Sequence, residues 1–567
     1  MKETTAYSRR PHQELAIADV IAGFQTDDRG QLVMACGTGK TLTGLWIKED
    51  LCAELTLVLV PSIALLDQFA SEWRKHFSSK QPYAALCVCS DETVGRNASR
   101  DRDTIQFTAE DLAHDGFDVT SAPECIAAFL VQRGRKVVFS TYQSSHLIAE
   151  AQADEAVPAF DLAIADEAHR CAGDPTSVFA TILKEGKIRA RKRLFTTATP
   201  RIYGRRKGQK EFGESVVDMS DEALFGPRFH TLTFGEAIRL DLLSDYRVVI
   251  MLIDDAEIQA VLKVGQSGAD LSDDEKHKWL RAAQVGFLKT VRQFDLRRVI
   301  SFHSYVKNAR VFADDLPAVA DVMWADESGT GVPKADFISG EMSAEVRKRK
   351  LAEFRATEEG EYRVLTNARC LTEGIDVPDI DGVAFVDPRS GHVDIIQALG
   401  RAIRKHERKK YGTVILPVFL GRGDSADEVI ENSHFKPVWD VLNALRAHDA
   451  DFETALNTRR QAGGGAEPGM ADPFEKIEIL GAEHVVGLAA TLEPLLLNEL
   501  TDGWEEGVGT ARAYFEQYGH CNAADGSRWP EGDPKGYPLG TWLVNQRQAR
   551  KAGKLSAERA QRLDALG

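Results

Sequence analysis

The sequence predicts an α/β fold, with a parallel sheet sandwiched by helices over the N-terminal part and a small α-helical module at the C-terminal end. Three observations carry this expectation. A glycine-rich loop, Ala35-Cys36-Gly37-Thr38-Gly39-Lys40-Thr41, lies between the apolar stretch Leu32-Val33-Met34 and a helix-compatible segment, Leu42 to Glu49. A second apolar run, Phe160-Asp161-Leu162-Ala163-Ile164-Ala165, is short, as a buried parallel strand should be, and ends in Asp166-Glu167-Ala168-His169. Beyond Gly463-Gly464-Gly465 and Pro468-Gly469, which read as a flexible joint, the composition shifts towards aromatic and basic residues.

The loop exposes backbone N–H groups at the positive end of a helix, where phosphate oxygens bind. Lys40 is placed to reach β- and γ-phosphates, and the Thr41 hydroxyl to hold Mg²⁺. Gly37, Thr38 and Gly39 complete the phosphate cradle. The full pattern asks for an earlier glycine, where this chain has Ala35 or Met34, so the match is to a shortened version. An acid at the carboxyl end of a strand lies where open α/β sheets bind ligands. There Asp166 would hold Mg²⁺ through water, and Glu167 would orient and deprotonate the attacking water. Taken singly, the loop also fits a glycine turn and the acids a solvated turn. Their order and spacing favour an ATP site.

With these residues in view, the chain resembles the superfamily-two helicases and translocases of the DEAH-like, restriction-enzyme motor type, over roughly residues 7 to 420. Arg10-Pro11-His12-Gln13 resembles the adenine-reading motif, with Gln13 as reader. Val60-Pro61-Ser62 and Ser140-Thr141-Tyr142-Gln143 resemble strand-contacting motifs. Thr197-Ala198-Thr199-Pro200 resembles the motif that, with His169, couples hydrolysis to strand binding. Val299-Ile300-Ser301-Phe302 resembles the strand opening a second motor domain. Thr366-Asn367-Ala368-Arg369 through Glu373-Gly374-Ile375-Asp376-Val377-Pro378 resembles the fifth motif, and Gln397-Ala398-Leu399-Gly400-Arg401-Ala402-Ile403-Arg404 the sixth. The resemblance implies two tandem RecA-like P-loop domains with ATP and Mg²⁺ in the cleft between them. It implies that Gln397, Arg401 and Arg404 complete catalysis from the second domain, that Gly374 and Asp376 contact ATP, and that Pro61, Ser62, Thr141 and Thr366 contact nucleic acid.

Composition is that of a large globular enzyme. The 567 residues suffice for three or more domains, and no apolar run approaches the ~20 residues of a membrane span. The eight cysteines are scattered without a CxxC, which suits reduced thiols in a cytoplasmic protein. A net charge of −16 argues against a protein that coats duplex DNA, but a basic groove is compatible with it.

The motifs set the expected organisation: a first motor domain over 1–225, a connector over 226–245, a second motor domain over 246–420, a helical segment with linker over 421–502, and a helical module over 503–567. Residues 90–136 read as a polar excursion, and Tyr203 to Lys210, with Arg205, Arg206, Lys207 and Lys210, as a basic loop. The last segment carries Trp504, Trp529 and Trp542; between 535 and 562 it has seven basic residues against one acid. It resembles the helicase-associated module of some bacterial helicase-like proteins, through Trp504, Tyr514, Gly540, Trp542, Gln546-Arg547 and Gly553-Lys554-Leu555. The tryptophans suit the core of a helical unit, while Arg547, Arg550, Lys551 and Lys554 suit phosphate contact. One such module where relatives often have several fits a truncated chain.

The expectation is thus an ATP-driven nucleic-acid motor, with DNA favoured over RNA by resemblance alone. Two alternatives stand beside it. One is a duplex translocase subunit of a restriction or defence complex, with a nuclease partner and no strand separation. The other is a non-motor ATPase switch that clamps a partner.

Overall fold

The computed structural model describes residues 8–89, 116–201, 217–255, 257–259, 275–325, 331–340, 342, 344–356, 360–368, 380–387, 392–406, 409–420, 428, 435–461, 472–481, 488–501, 503–531 and 536–566. The polar excursion falls partly, and the basic loop Tyr203 to Lys210 wholly, outside them.

The first sheet has eight strands: β1 (Arg29–Met34), β2 (Leu55–Val60), β3 (Ala84–Val88), β4 (Val119–Thr120), β5 (Lys136–Thr141), β6 (Phe160–Asp166), β7 (Ala190–Thr197) and β8 (Arg228–Leu232). Their spatial order is β4-β3-β5-β2-β6-β7-β1-β8, with every pairing parallel. Parallel neighbours need crossovers, and helices such as Lys40–Asp50 and Ile63–His76 supply them. Alternate residues of β2 serve the two faces: Leu55, Leu57 and Leu59 enter one apolar cluster, Val58 and Val60 another.

A second sheet holds β9 (Asp245–Asp254), β10 (Arg298–His303), β11 (Lys334–Ile338), β12 (Arg363–Asn367), β13 (Gly382–Asp387), β14 (Tyr411–Leu420) and β15 (Ile477–Gly481). Its order is β11-β12-β10-β13-β14-β9-β15, again all parallel. One continuous apolar cluster takes in Val58 and Val60 of the first sheet and Val248, Ile250 and Leu252 of the second, passing through Leu243, Ala402 and Ile403. The two sheets are therefore packed together.

Two segments differ from expectation. Part of the stretch read as a connector is β8, which pairs with β1 and closes one edge of the first sheet. The stretch 421–502 is not only helix and linker, since β15 adds an edge strand to the second sheet beside β9. Neither strand has a clear sequence signal because each is five residues long and gains its stability from a preformed edge.

The C-terminal module comprises helices Gly503–Tyr518, Leu539–Lys551 and Ala557–Asp564. Trp504 is buried at its centre with Val508, Ala511, Leu539 and Leu543, and its Nε1 donates to Gln546 Oε1 at 3.0 Å. The glycines read as a flexible joint lie outside the described residues. On either side of them the chain is docked. Arg460 meets Glu506 at 2.7 Å, Gln461 Nε2 donates to Glu505 at 2.7 Å, and Gly509 approaches so closely that a Cβ there would lie 2.1 Å from the Gln461 carbonyl oxygen. A valine at 509 cannot fit against backbone. Gly509→Val should release the module from helix Ala450–Gln461, seen as a larger radius of gyration by solution scattering with helical circular dichroism kept. An unchanged radius of gyration would count against docking through this face.

Candidate functional site at the carboxyl edge of the first sheet

The motifs converge because they all follow the carboxyl ends of adjacent strands. The glycine loop follows β1, Pro61 follows β2, Thr141 ends β5, Asp166 ends β6 and Thr197 ends β7. In the sheet these strands are neighbours, in the order β5-β2-β6-β7-β1.

The loop makes the turn through two left-handed glycines, Gly37 at φ 83° and Gly39 at φ 91°. Helix Lys40–Asp50 starts directly after it, so the first turn's free N–H groups face the loop. Thr38 Oγ1 donates to the Ala35 carbonyl at 2.7 Å, and Trp73 Nε1 to the Thr41 carbonyl at 2.8 Å. Gln13 bridges as well: its Oε1 accepts from Arg10 N at 3.1 Å and its Nε2 donates to the Gly39 carbonyl at 3.3 Å. The buried Lys40 Nζ has no hydrogen-bond partner among the described residues. Burial lowers its proton affinity, but the charges of Glu167 and then Asp166 oppose this, and its pKa is held above the usual lysine value. An ammonium buried in this way awaits an anion.

Opposite stand the two acids. Asp166 Oδ1 accepts from Thr196 Oγ1 at 2.6 Å, and the Asp166 carbonyl accepts from the buried Tyr142 hydroxyl at 2.7 Å. Burial, then the neighbouring Glu167 charge, pushes the Asp166 carboxyl up. Burial works the same way on Glu167, but Lys40 and His169 overcome it, so its pKa lies below the ordinary carboxylate value. Glu167 sits at φ 49°, a left-handed conformation rare for a side chain of this length and of the kind found at functional sites. Asp166, buried, and the adjacent Glu167, nearly so, form an anionic oxygen pair of the kind that suits a divalent cation. His169 Nδ1 lies 3.1 Å from Thr197 Oγ1, 3.3 Å from Thr199 Oγ1 and 3.3 Å from Glu167 Oε2. The pair of motifs read as coupling elements is in direct contact.

The second half closes over this site. Helix His392–Ala402 brings Gln397 and Arg401, both buried, and Arg404 follows. Gly400 packs on the loop: a Cβ there would lie 2.6 Å from Cys36 Cβ. Any larger residue would hold the cleft open. Burial lowers the Arg401 pKa to about 10, with Cys36 and Glu167 opposing, and the guanidinium remains charged at neutral pH. Arg404 is likewise lowered by burial. The stretch ahead of β9 is tied in too: Ser244 N donates to the Ile403 carbonyl at 2.8 Å, and Leu243 pairs with Arg404 in an antiparallel bridge.

Other expectations fare differently. Gly374 and Asp376 lie outside the described residues. Thr141 and Thr366 do not present their hydroxyls to a ligand: Thr141 is engaged with Ser144, and Thr366 donates to the Ala309 carbonyl at 2.7 Å, both buried. Pro61 is buried, with its carbonyl accepting from Gln143 Nε2 at 3.3 Å, and Ser62 Oγ caps helix Ile63–His76. These residues shape the sheet edge from inside. In the C-terminal module, Arg550 pairs with Asp564 and Arg547 donates to the Cys521 carbonyl at 2.8 Å. Of the four basic residues, Lys551 and Lys554 remain as exposed side chains with no such tie among the described residues. Sequence reading overlooked Thr196, Tyr142 and Trp73. The first two adjoin or belong to recognised motifs, whereas nothing in the sequence pairs Trp73 with Thr41.

Comparison with known proteins agrees with this geometry. Residues 6–202 match the family described as Type III restriction enzyme, res subunit; residues 288–406 match the Helicase conserved C-terminal domain; residues 501–567 match the Helicase associated domain. By these three matches the chain is similar to superfamily-two helicases of the restriction-enzyme motor type, with a helicase-associated domain at residues 501–567. It is 27% identical to Probable helicase A859L of African swine fever virus (strain Badajoz 1971 Vero-adapted), over 80% of this chain and 45% of the viral protein. Among solved structures, the ATP-dependent Type ISP restriction-modification enzyme LlaBIII bound to DNA superposes with a TM-score of 0.72 at 28% identity, covering 90% of this chain and 34% of that one. The Type ISP enzyme LlaGI shares the fold, with a TM-score of 0.58 at 24% identity over 90% of this chain and 33% of that one. The chain thus spans under half the length of these relatives. The two parallel-sheet α/β domains are consistent with tandem RecA-like helicase domains. Among the described residues no helix is long and apolar enough to cross a membrane, and their seven cysteines are free.

Proposed function

We propose that this chain is an ATP-dependent DNA translocase or helicase, and that it hydrolyses ATP in the cleft between its two sheets. The observation carrying this reading is the buried Lys40 Nζ, without a hydrogen-bond partner among the described residues, with Asp166 and Glu167 on one side and Arg401 and Arg404 arriving from the other half. Phosphoryl transfer relies on positioning and on positive charge around the γ-phosphate. Gly37 to Thr41 would cradle the phosphates, and Gln13 would meet the adenine. Thr41 and Asp166 would hold Mg²⁺, which when bound neutralises phosphate charge. Glu167 takes a proton from the attacking water, and the Arg401 and Arg404 guanidiniums stabilise the charge that develops.

Because Gly400 and Arg401 share one turn, closing the cleft seats the guanidinium and the Cys36 contact together. Loss of the γ-phosphate removes the anion that both halves hold. His169, Thr197 and Thr199 would carry that change to the nucleic-acid side. Gly374 and Asp376 would add contacts to ATP.

DNA as the track is supported by the likeness to LlaBIII, a restriction enzyme whose structure is bound to DNA. The same likeness supports a restriction-type setting, in which a nuclease would be the partner and movement along duplex DNA the activity to test. Free, scattered thiols suit a cytoplasmic setting. ATPase rate measured against single-stranded DNA, duplex DNA and RNA tests the reading. DNA should raise the rate and RNA should not. Equal rates in all conditions would leave the clamp-like switch as the better reading. Triplex displacement without strand displacement identifies duplex translocation.

A further inference from the structure

His12 precedes the adenine-reading glutamine on helix Pro11–Gly23, and its side chain is turned away from solvent, 8% exposed. Its Nε2 lies 2.9 Å from the Thr38 carbonyl oxygen. A carbonyl only accepts, so Nε2 carries the proton and donates. Burial, with Arg10 adding to it, holds the ring below its ordinary pKa, and the ring is neutral. Thr38 stands between the two left-handed glycines, at a position of the turn where a side chain from another element takes hold of the backbone next to Gln13's grip on Gly39. The Gly39 carbonyl also accepts from Thr43 N at 3.1 Å, whereas His12 is the side chain from another element that holds the Thr38 carbonyl; in a trans peptide the N–H points opposite to the C=O, so fixing that carbonyl fixes the direction of the same peptide's N–H.

We propose that His12 is a positioning residue for the phosphate loop, fixing the Thr38 peptide so that the cradle is formed before nucleotide arrives. The inference rests on the nucleotide-site reading above. Its mechanism is preorganisation: without the tie, ordering the loop is charged against every phosphate ligand that binds. The effect therefore falls on affinity for phosphate, equally in ground and transition states, and not on the chemical step.

The test uses the full chain and isothermal titration with two probes, ADP and inorganic tripolyphosphate, each with Mg²⁺, alongside ATPase kinetics. His12→Phe keeps a buried ring without a donor. His12→Gln places an amide N–H near the Nε2 position, and His12→Asn is too short to reach it. His12→Phe and His12→Asn should weaken both probes by about tenfold and raise the KM for ATP to match, with kcat unchanged. His12→Gln should restore most of the affinity. Circular dichroism and thermal melting identify any variant that fails to fold, and the Gln–Asn pair, alike in polarity, keeps the comparison valid if the Phe variant does not. Loss for ADP with tripolyphosphate unaffected would place His12 in the adenine pocket and overturn the proposal. Equal loss in all three variants would reduce it to packing and also overturn it, as would wild-type affinity in folded His12→Phe. A wild-type chain that binds neither probe would instead bring down the nucleotide-site reading.

Discussion

Glu167→Gln is expected to lower ATP turnover by roughly 10²–10⁴ while leaving Mg²⁺·ATP binding within a few-fold of wild type. The amide keeps the shape of the carboxylate and still accepts a hydrogen bond, but it takes no proton from water. Lys40 and His169 outweigh the effect of burial and keep the Glu167 pKa low, so the proposed base is ionised. Its left-handed backbone, φ 49°, belongs to the turn after β6 and not to the side chain's charge, so the substitution leaves the turn as it is. Removing one of two adjacent carboxylates also relieves Asp166, whose carboxyl is pushed up in part by Glu167. The variant should hold nucleotide at least as firmly as the parent. Filter binding of labelled ATP beside a phosphate-release assay decides this. A folded variant that loses ATP binding altogether would mean that Glu167 serves as a ligand and not as the base.

Lys40→Ala should cost roughly 10²–10³ in turnover, the range for removing one preorganised donor to developing charge, and should weaken ATP binding too. The Nζ is buried without a hydrogen-bond partner among the described residues, so in the absence of ligand its charge is balanced through space by Glu167 and Asp166. Alanine removes the cation between the carboxylate pair and the phosphate position. The acids then repel each other and the nucleotide, and binding falls along with chemistry. Lys40→Arg should not rescue, because a planar guanidinium does not occupy the space of a compact ammonium. Near wild-type ATPase in a folded Lys40→Ala protein would remove the loop from the mechanism.

Both substitutions act on residues that the amino-acid sequence identifies unaided, because local chemistry defines them. A loop that admits phosphate needs glycines at set positions, and a general base needs a carboxylate at a strand end. Burial of the C-terminal tryptophan Trp504 was legible for a related reason: an indole among helical apolar positions packs inward. Legibility stopped where a side chain's partner is distant in the chain. The hydroxyls of Thr141 and Thr366 sit in motifs that suggest strand contact, yet both are engaged internally. Arg547 and Arg550 have the spacing of free phosphate contacts, yet Cys521 and Asp564 lie beside them and occupy them. Charge counts along a sequence cannot distinguish a free cation from a paired one.

By itself the sequence determined the α/β class and pointed to the phosphate loop and the acidic pair, since glycine spacing, strand-length apolar runs and side-chain chemistry are properties of adjacent residues; Arg401 and Arg404 entered only through resemblance to a known family. The tertiary structure alone decided that Gly400 seats against Cys36, that β8 and β15 close sheet edges, that Trp73 and His12 hold the loop's carbonyls, and that the C-terminal module is docked on helix Ala450–Gln461. Each of these is a contact between segments far apart in the chain. Such contacts arise from the close packing of two sheets and their helices, for which no short stretch of sequence carries a signature.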